Sequence, residues 1–131
     1  MHYSGGFLLD SDLNLILLHK RDKNTTDNPN LWAFFGGNSE ENENPIDTFT
    51  RELKEELGIE IDNDKIHPLR DYFNPDFNTH RNVFYAEFDS TLPLNLSEGE
   101  NIGWFSLEEA FQLNLSKRTE EDLTYFKSLS L

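Results

Sequence analysis

The chain has 131 residues, 36% hydrophobic and 13% aromatic, with a formal net charge of -14 and no cysteine. This length and composition predict one globular domain over residues 1–131, large enough to bury a real core. The missing cysteines exclude disulfide frameworks, zinc ribbons, thiolate nucleophiles and iron–sulfur clusters, and the acidity excludes binding that rests on neutralising a nucleic-acid backbone or an anionic membrane.

The first residues carry no basic segment, and the apolar runs behind them are too short for a signal peptide or a membrane span, so a soluble cytoplasmic protein is expected. Residues 6–9 and 13–19 are apolar runs separated by Asp10-Ser11-Asp12, a pattern of two strands and a tight turn. A polar stretch at 22–30 reads as a loop, and residues 31–35 form a third strand candidate running into Gly36-Gly37. The Asn/Glu/Ser run at 38–44 is another loop. Asn44 as N-cap, Pro45 at the first helical position and Gly58 just past the end predict a helix over 45–57. Strands are expected at 66–73, 82–88 and 102–105. Ser106 with Glu109 forms a capping-box pattern that opens a short helix, and 119–129 reads as a terminal helix. Strands interleaved with helices indicate an α/β or α+β layered domain.

The helix at 45–57 breaks local rules. Ile46, Phe49, Leu53 and Leu57 make its apolar stripe, while Glu52, Glu55 and Glu56 cluster beside it. Like charges three and four apart cost roughly 0.2–0.5 kcal/mol per pair. Carboxylates in the last turn oppose the helix dipole by about 0.3–1 kcal/mol each. A divalent cation held by these hard oxygens, magnesium or manganese, relieves both penalties. It also turns an acidic cluster into a site for an anionic ligand. On the helix alone, a solvated acidic face with Arg51 and Lys54 as counterions stays open.

The upstream spacing decides between them. Gly37, five residues, Glu43, seven residues, Arg51-Glu52, aliphatic Leu53, one residue, Glu55-Glu56, one residue, Gly58 and aliphatic Ile59 spell the complete Nudix box, GX5EX7REUXEEXGU. The chain resembles the Nudix hydrolases over nearly its whole length, with Trp104-Phe105-Ser106-Leu107-Glu108-Glu109 similar to the family's closing strand and helix. The resemblance implies an α/β/α sandwich on a mixed sheet, and hydrolysis of the pyrophosphate linkage of a nucleoside diphosphate derivative. It implies Glu52, Glu55 and Glu56 as ligands of Mg2+, or Mn2+, with the Gly37 carbonyl as a further ligand. Arg51 and Glu43 would pair across the loop and orient Glu52.

For a base, MutT-like members carry a glutamate in the loop before the Trp-X-Ser-Leu segment. By spacing to Trp104, Glu98 matches, as metal ligand or base, with Glu100 in reserve and Glu55 as the candidate within the box. Arg21 stands where such members face the substrate phosphates; Lys20 should point the other way. Phe34, Tyr72, Phe73 and Phe77 are candidates for base stacking, and core packing is the ordinary alternative. His2, His19, His67 and His80 show no metal-ligand spacing. Phe35 replaces a common proline, and Phe49 a common small residue, which suggests extra room between helix and sheet.

The leading expectation is a MutT-like enzyme that converts a nucleoside triphosphate, with an ordinary or an oxidised base, to the monophosphate and pyrophosphate. Hydrolysis of ADP-ribose or another nucleotide sugar is the alternative, on the weak signal of Pro75, sixteen residues past the box. A silent, nucleotide-binding Nudix fold is disfavoured because every box carboxylate is present. The partner expected is a small nucleotide, with no nucleic-acid polymer and no membrane, acting on a monomer or homodimer.

Overall fold

The computed structural model describes residues 1–21, 30–94 and 101–129. The described strands are β1 (His2–Asp10), β2 (Leu15–Lys20), β3 (Trp32–Ala33), β4 (Phe35–Asn38), β5 (Ile66–Asn74), β6 (Thr79–Glu87) and β7 (Asn101–Phe105). They form one mixed sheet of order β3-β2-β1-β6-β5, with β4 also on β1 and β7 on β2. β1 and β6 run parallel, from His2 opposite His80 to Leu9 opposite Glu87, and the other pairs are antiparallel.

β1 changes partner along its length. Its first half, Tyr3 to Gly6, pairs β4, and Leu8 to Asp10 pair β2. The chain through residues 32–38 crosses with it, from β2 at Trp32 and Ala33 to β1 from Phe35 onward. Gly36 and Gly37 therefore lie inside a strand, not in the loop beyond one.

Alternation of side chains along the strands divides the core between two faces. Phe7, Ile16, Leu18, Phe34 and Val83 are buried on one face with Leu123, Phe126 and Ala110. The neighbours Leu8, Leu17, Phe35 and Phe84 are buried on the other with Phe49, Leu53 and Leu57. Helix α1 (Pro45–Leu57) thus covers one face, and α2 (Leu107–Ala110) with α3 (Lys117–Ser128) covers the other. The result is an α+β sandwich of the expected α/β/α layering.

The α1 limits match the sequence reading. Asn44 accepts from the Asp47 N–H at 2.9 Å, Pro45 occupies the first turn, and Gly58 caps the end at φ 68°, a left-handed conformation costly for other residues. Phe49 fills the room anticipated between helix and sheet and stacks on Phe84 at 5.6 Å. The capping box at Ser106 and Glu109 is present in both directions. Several limits differ: the expected strand at 31–35 is split into β3 and β4, and β6 begins at Thr79 where residue 82 was expected. β1 begins at His2 instead of residue 6, because pairing on both edges overrides the weak strand propensity of Ser4-Gly5-Gly6. β2 begins at Leu15, since the turn extends to Asn14 at φ 54°. α3 begins at Lys117, two residues before the expected start. No helix among the described residues is long and apolar enough to cross a membrane.

Candidate active site

α1 carries its buried stripe, Thr48, Phe49, Leu53 and Leu57, against the sheet. That fixes where the acids stand. Glu52 and Glu56, one turn apart, both reach the glycine pair of β4. The Gly36 N–H donates to Glu56 Oε2 at 3.2 Å. A Cβ at Gly37 would run into the Glu52 carboxyl, so any side chain there would push that carboxyl aside. The Glu52 side chain is only 15% exposed, and burial pushes its pKa up against the opposing pull of Arg51. Glu55, 56% exposed, faces outward.

Arg51 ties the loop before α1 to these acids. Its Nε and Nη2 donate to the two oxygens of Glu43 at 2.7 and 3.1 Å, and Nη2 also donates to the Asn38 carbonyl at 3.0 Å. Nη1 reaches Glu52 at 3.2 Å and Glu55 at 3.3 Å. The Arg51 guanidinium, followed by the Glu40 N–H, holds the Glu43 carboxyl at about 2. Thr48 donates a further bond to Glu43 at 2.9 Å. This bidentate pair fixes the loop from Asn38 to Glu43 against the helix.

Among the described residues no three acidic or histidine groups converge into a ready cation cage. The donor set nevertheless suits a hard cation: Glu52 and Glu56 present carboxylate oxygens over the same two residues, and the burial of Glu52 leaves a charge that a cation would offset. Glu55 would join by exchanging its contact with Arg51. Glu98 and Glu100 lie outside the described residues.

Beside the glycine pair opens a cavity of about 620 Å³. Gly36, Gly37 and Asn38 form one wall, and Arg21, Phe34 and Phe77, three residues singled out in the sequence, also line it. Lys20 does not. Phe34 doubles as core, packed on Phe7 at 5.4 Å, whereas Phe77 is exposed at the β5–β6 turn. Tyr72 lies away from this cavity. Its hydroxyl donates to Asp122 at 2.9 Å, and Arg70 rests on its ring at 4.6 Å. Burial, then Asp122, push the Tyr72 phenol up to about 12. Phe73 is exposed and outside the lining too.

Sequence reasoning missed Asp122, Arg81 and Tyr3. Asp122 is fully buried and accepts from Arg70 at 2.8 and 3.0 Å, from Tyr72, and from Arg81 Nε at 2.9 Å. Arg81 in turn lies over the Tyr3 ring at 4.7 Å, and both line the cavity. A signal existed: Arg81 is in phase with Val83 on an alternating strand, and Asp122 falls on the stripe of Thr119, Leu123 and Phe126. An opposite-charge pair in two apolar patterns marks a buried ion pair.

A family profile described as NUDIX domain matches residues 4–127. No curated relative matches the chain in sequence. Among solved structures, the chain is similar to a MutT from work on Aliivibrio salmonicida and Vibrio cholerae, with TM-score 0.77, 19% identity, and 94% of this chain and 96% of that one covered. It is similar to the E. coli ORF135 protein at TM-score 0.75 and 25% identity, covering 98% and 89%. The NUDIX domain of Shewanella oneidensis NrtR, solved with ADP ribose, superposes at TM-score 0.79 and 16% identity, covering 100% and 88%.

Proposed function

We propose, from the premise that this chain belongs to the Nudix family, that it hydrolyses the pyrophosphate linkage of a nucleoside diphosphate derivative with the help of Mg2+. The observation that supports this above all is the meeting of Glu52 and Glu56 over Gly36-Gly37, a glycine pair that lines a ligand-sized cavity although the two glutamates themselves do not. Glu52, Glu55, Glu56 and the Gly37 carbonyl would hold the cation, together with Glu98. Bound there, it neutralises charge on the phosphate oxygens and the leaving group. Arg51, clamped by Glu43, keeps Glu52 aimed at the glycine pair. Arg21 faces the phosphates from the end of β2. Water attacks phosphorus, the bridging P–O bond breaks, and a carboxylate takes the water's proton; Glu98 is assigned this role, with Glu100 or Glu55 as substitutes.

A nucleoside triphosphate, giving monophosphate and pyrophosphate, is the leading substrate class. ADP-ribose or another nucleotide sugar is the second reading, favoured by Asp76, Phe77 and Asn78, directly after Pro75, lining the cavity. A panel of both classes assayed with Mg2+ and with chelator tests the proposal. Metal-dependent release of pyrophosphate from triphosphates is expected, and release of two monophosphates would favour the second reading. Saturable nucleotide binding with no hydrolysis at any divalent cation concentration would overturn the assignment as an enzyme.

A further inference from the structure

The cavity is unlike the rest of the molecule in charge. The chain has 11 Lys and Arg against 25 Asp and Glu. Yet Arg21, Arg81, Lys117 and Arg118 all line this one cavity, and Asp76 is its only acidic lining residue among those described. Arg81 is 91% removed from solvent, its side chain being 9% exposed, and is anchored through Nε to Asp122. Arg81 is paired with Asp122, and Arg118 and Lys117 share Asp76, yet four cations over a single lining acid leave the cavity positive. A positive cavity in so acidic a protein is a built anion site.

The reacting pyrophosphate does not account for all of these cations. Across the sheet, Asn38 on β4 is opposite Tyr3 on β1, and Tyr3 is opposite Arg81 on β6. The Arg81 backbone is thus two strand spacings, about 10 Å, from the glycine-pair row where the acids gather, whereas its guanidinium lies over Tyr3, whose hydroxyl rests against Gly36. Arg118 stands further out, held by Asp76 of the β5–β6 turn at 2.8 Å, with Lys117 at 3.6 Å from the same carboxylate. Arg21 lines the cavity from the end of β2. The far cations therefore face the part of the substrate remote from the bond that breaks.

We infer that the substrate carries a second anionic group, a phosphate or a carboxylate, on the moiety remote from its pyrophosphate, and that Lys117 and Arg118 select it. This rests on the hydrolase reading and favours its second form, a nucleotide sugar or similar diphosphate derivative, because a nucleoside triphosphate carries no anion apart from its phosphate chain.

Matched substrates test the inference. ADP-ribose is compared with its 2′-phosphate, and UDP-glucose with UDP-glucuronate, so that each pair differs in one anion and the two arms separate phosphate from carboxylate. The anionic member of at least one pair should show a kcat/KM about tenfold higher, and that preference should fall below about threefold in Lys117→Gln and in Arg118→Gln. Lys117 is 66% exposed, so its substitution leaves the fold in place. Pairs that stay within about threefold, or a preference that survives both variants, would overturn the inference. Inorganic phosphate titrated in chelator gives a readout free of catalysis: saturable thermal stabilisation, lost in Lys117→Gln, is expected. If no pyrophosphate is hydrolysed under any condition, the hydrolase reading falls, and the phosphate titration alone decides. Stabilisation lost in Lys117→Gln then upholds the anion site, and its absence or persistence in the variant rejects it.

Discussion

Glu56 and Glu52 have different neighbours, and their variants should fail differently. Glu56 receives the Gly36 N–H, and Glu56→Gln keeps that hydrogen bond while removing the charge. Turnover should drop by about two orders of magnitude with the circular dichroism spectrum unchanged. Near-normal turnover would remove Glu56 from the metal set. At Gly37 the change is steric: in Gly37→Ala the new Cβ meets the Glu52 carboxyl. The Mg2+ concentration for half-maximal activity should rise about tenfold or more as Glu52 is displaced, an effect read directly from a metal titration. Glu43 offers a test in pH. Arg51 holds its carboxyl at about 2, below the ordinary 4.5. A depressed carboxylate contributes stability fully present above 4.5 and lost as pH falls through about 2. Glu43→Gln should therefore melt below the parent near neutral pH, with the gap closing as acid is added across that window. A gap that stays constant would mean Arg51 does not favour the charged form.

At the scale of elements, α1 was legible because everything that makes it lies within the segment: Asn44, Pro45, the apolar stripe and Gly58. Its acids were legible for the same reason, as a conflict between local propensity and the pattern actually present. Phe49 shows how the element is fastened. It is fully buried against Phe84, and Phe49→Ala should cost about 3–5 kcal/mol, measured by urea unfolding. A loss under about 1 kcal/mol would mean the space closes freely behind it. The strands were less legible. β1 was read as residues 6–9 because Ser4, Gly5 and Gly6 have no strand propensity of their own. Their conformation comes from β4 on one edge, 29 to 33 residues away, and from β6 on the other, 78 residues away. The expected strand at 31–35 stopped short of Gly36-Gly37 for the same reason, although these glycines pair with Gly5 and Ser4.

Across the whole molecule, the site divides into a part written in one stretch and a part assembled by topology. The box residues are consecutive in sequence and could be assigned from spacing. The cavity draws Arg21 from the end of β2, Arg81 from β6, and Lys117 and Arg118 from the start of α3, and no local pattern joins them. What holds that assembly is Asp122, which sits on α3 without solvent contact and binds Arg70 of β5 and Arg81 of β6 at once. It is the polar tie between the helical layer and the sheet edge that floors the cavity. Removing its charge leaves two guanidinium groups without their counterion. Breaking one side of such a buried pair costs about 3–5 kcal/mol, more than the pair itself contributes over an apolar replacement. Asp122→Asn is therefore expected to lower unfolding free energy by that amount, whereas Asp122→Asn combined with Arg81→Met should recover part of it, because the stranded cation is gone. A double variant as unstable as the sum of the two single changes would show that Asp122 and Arg81 act independently, and would leave the cavity floor without the coupling argued for it.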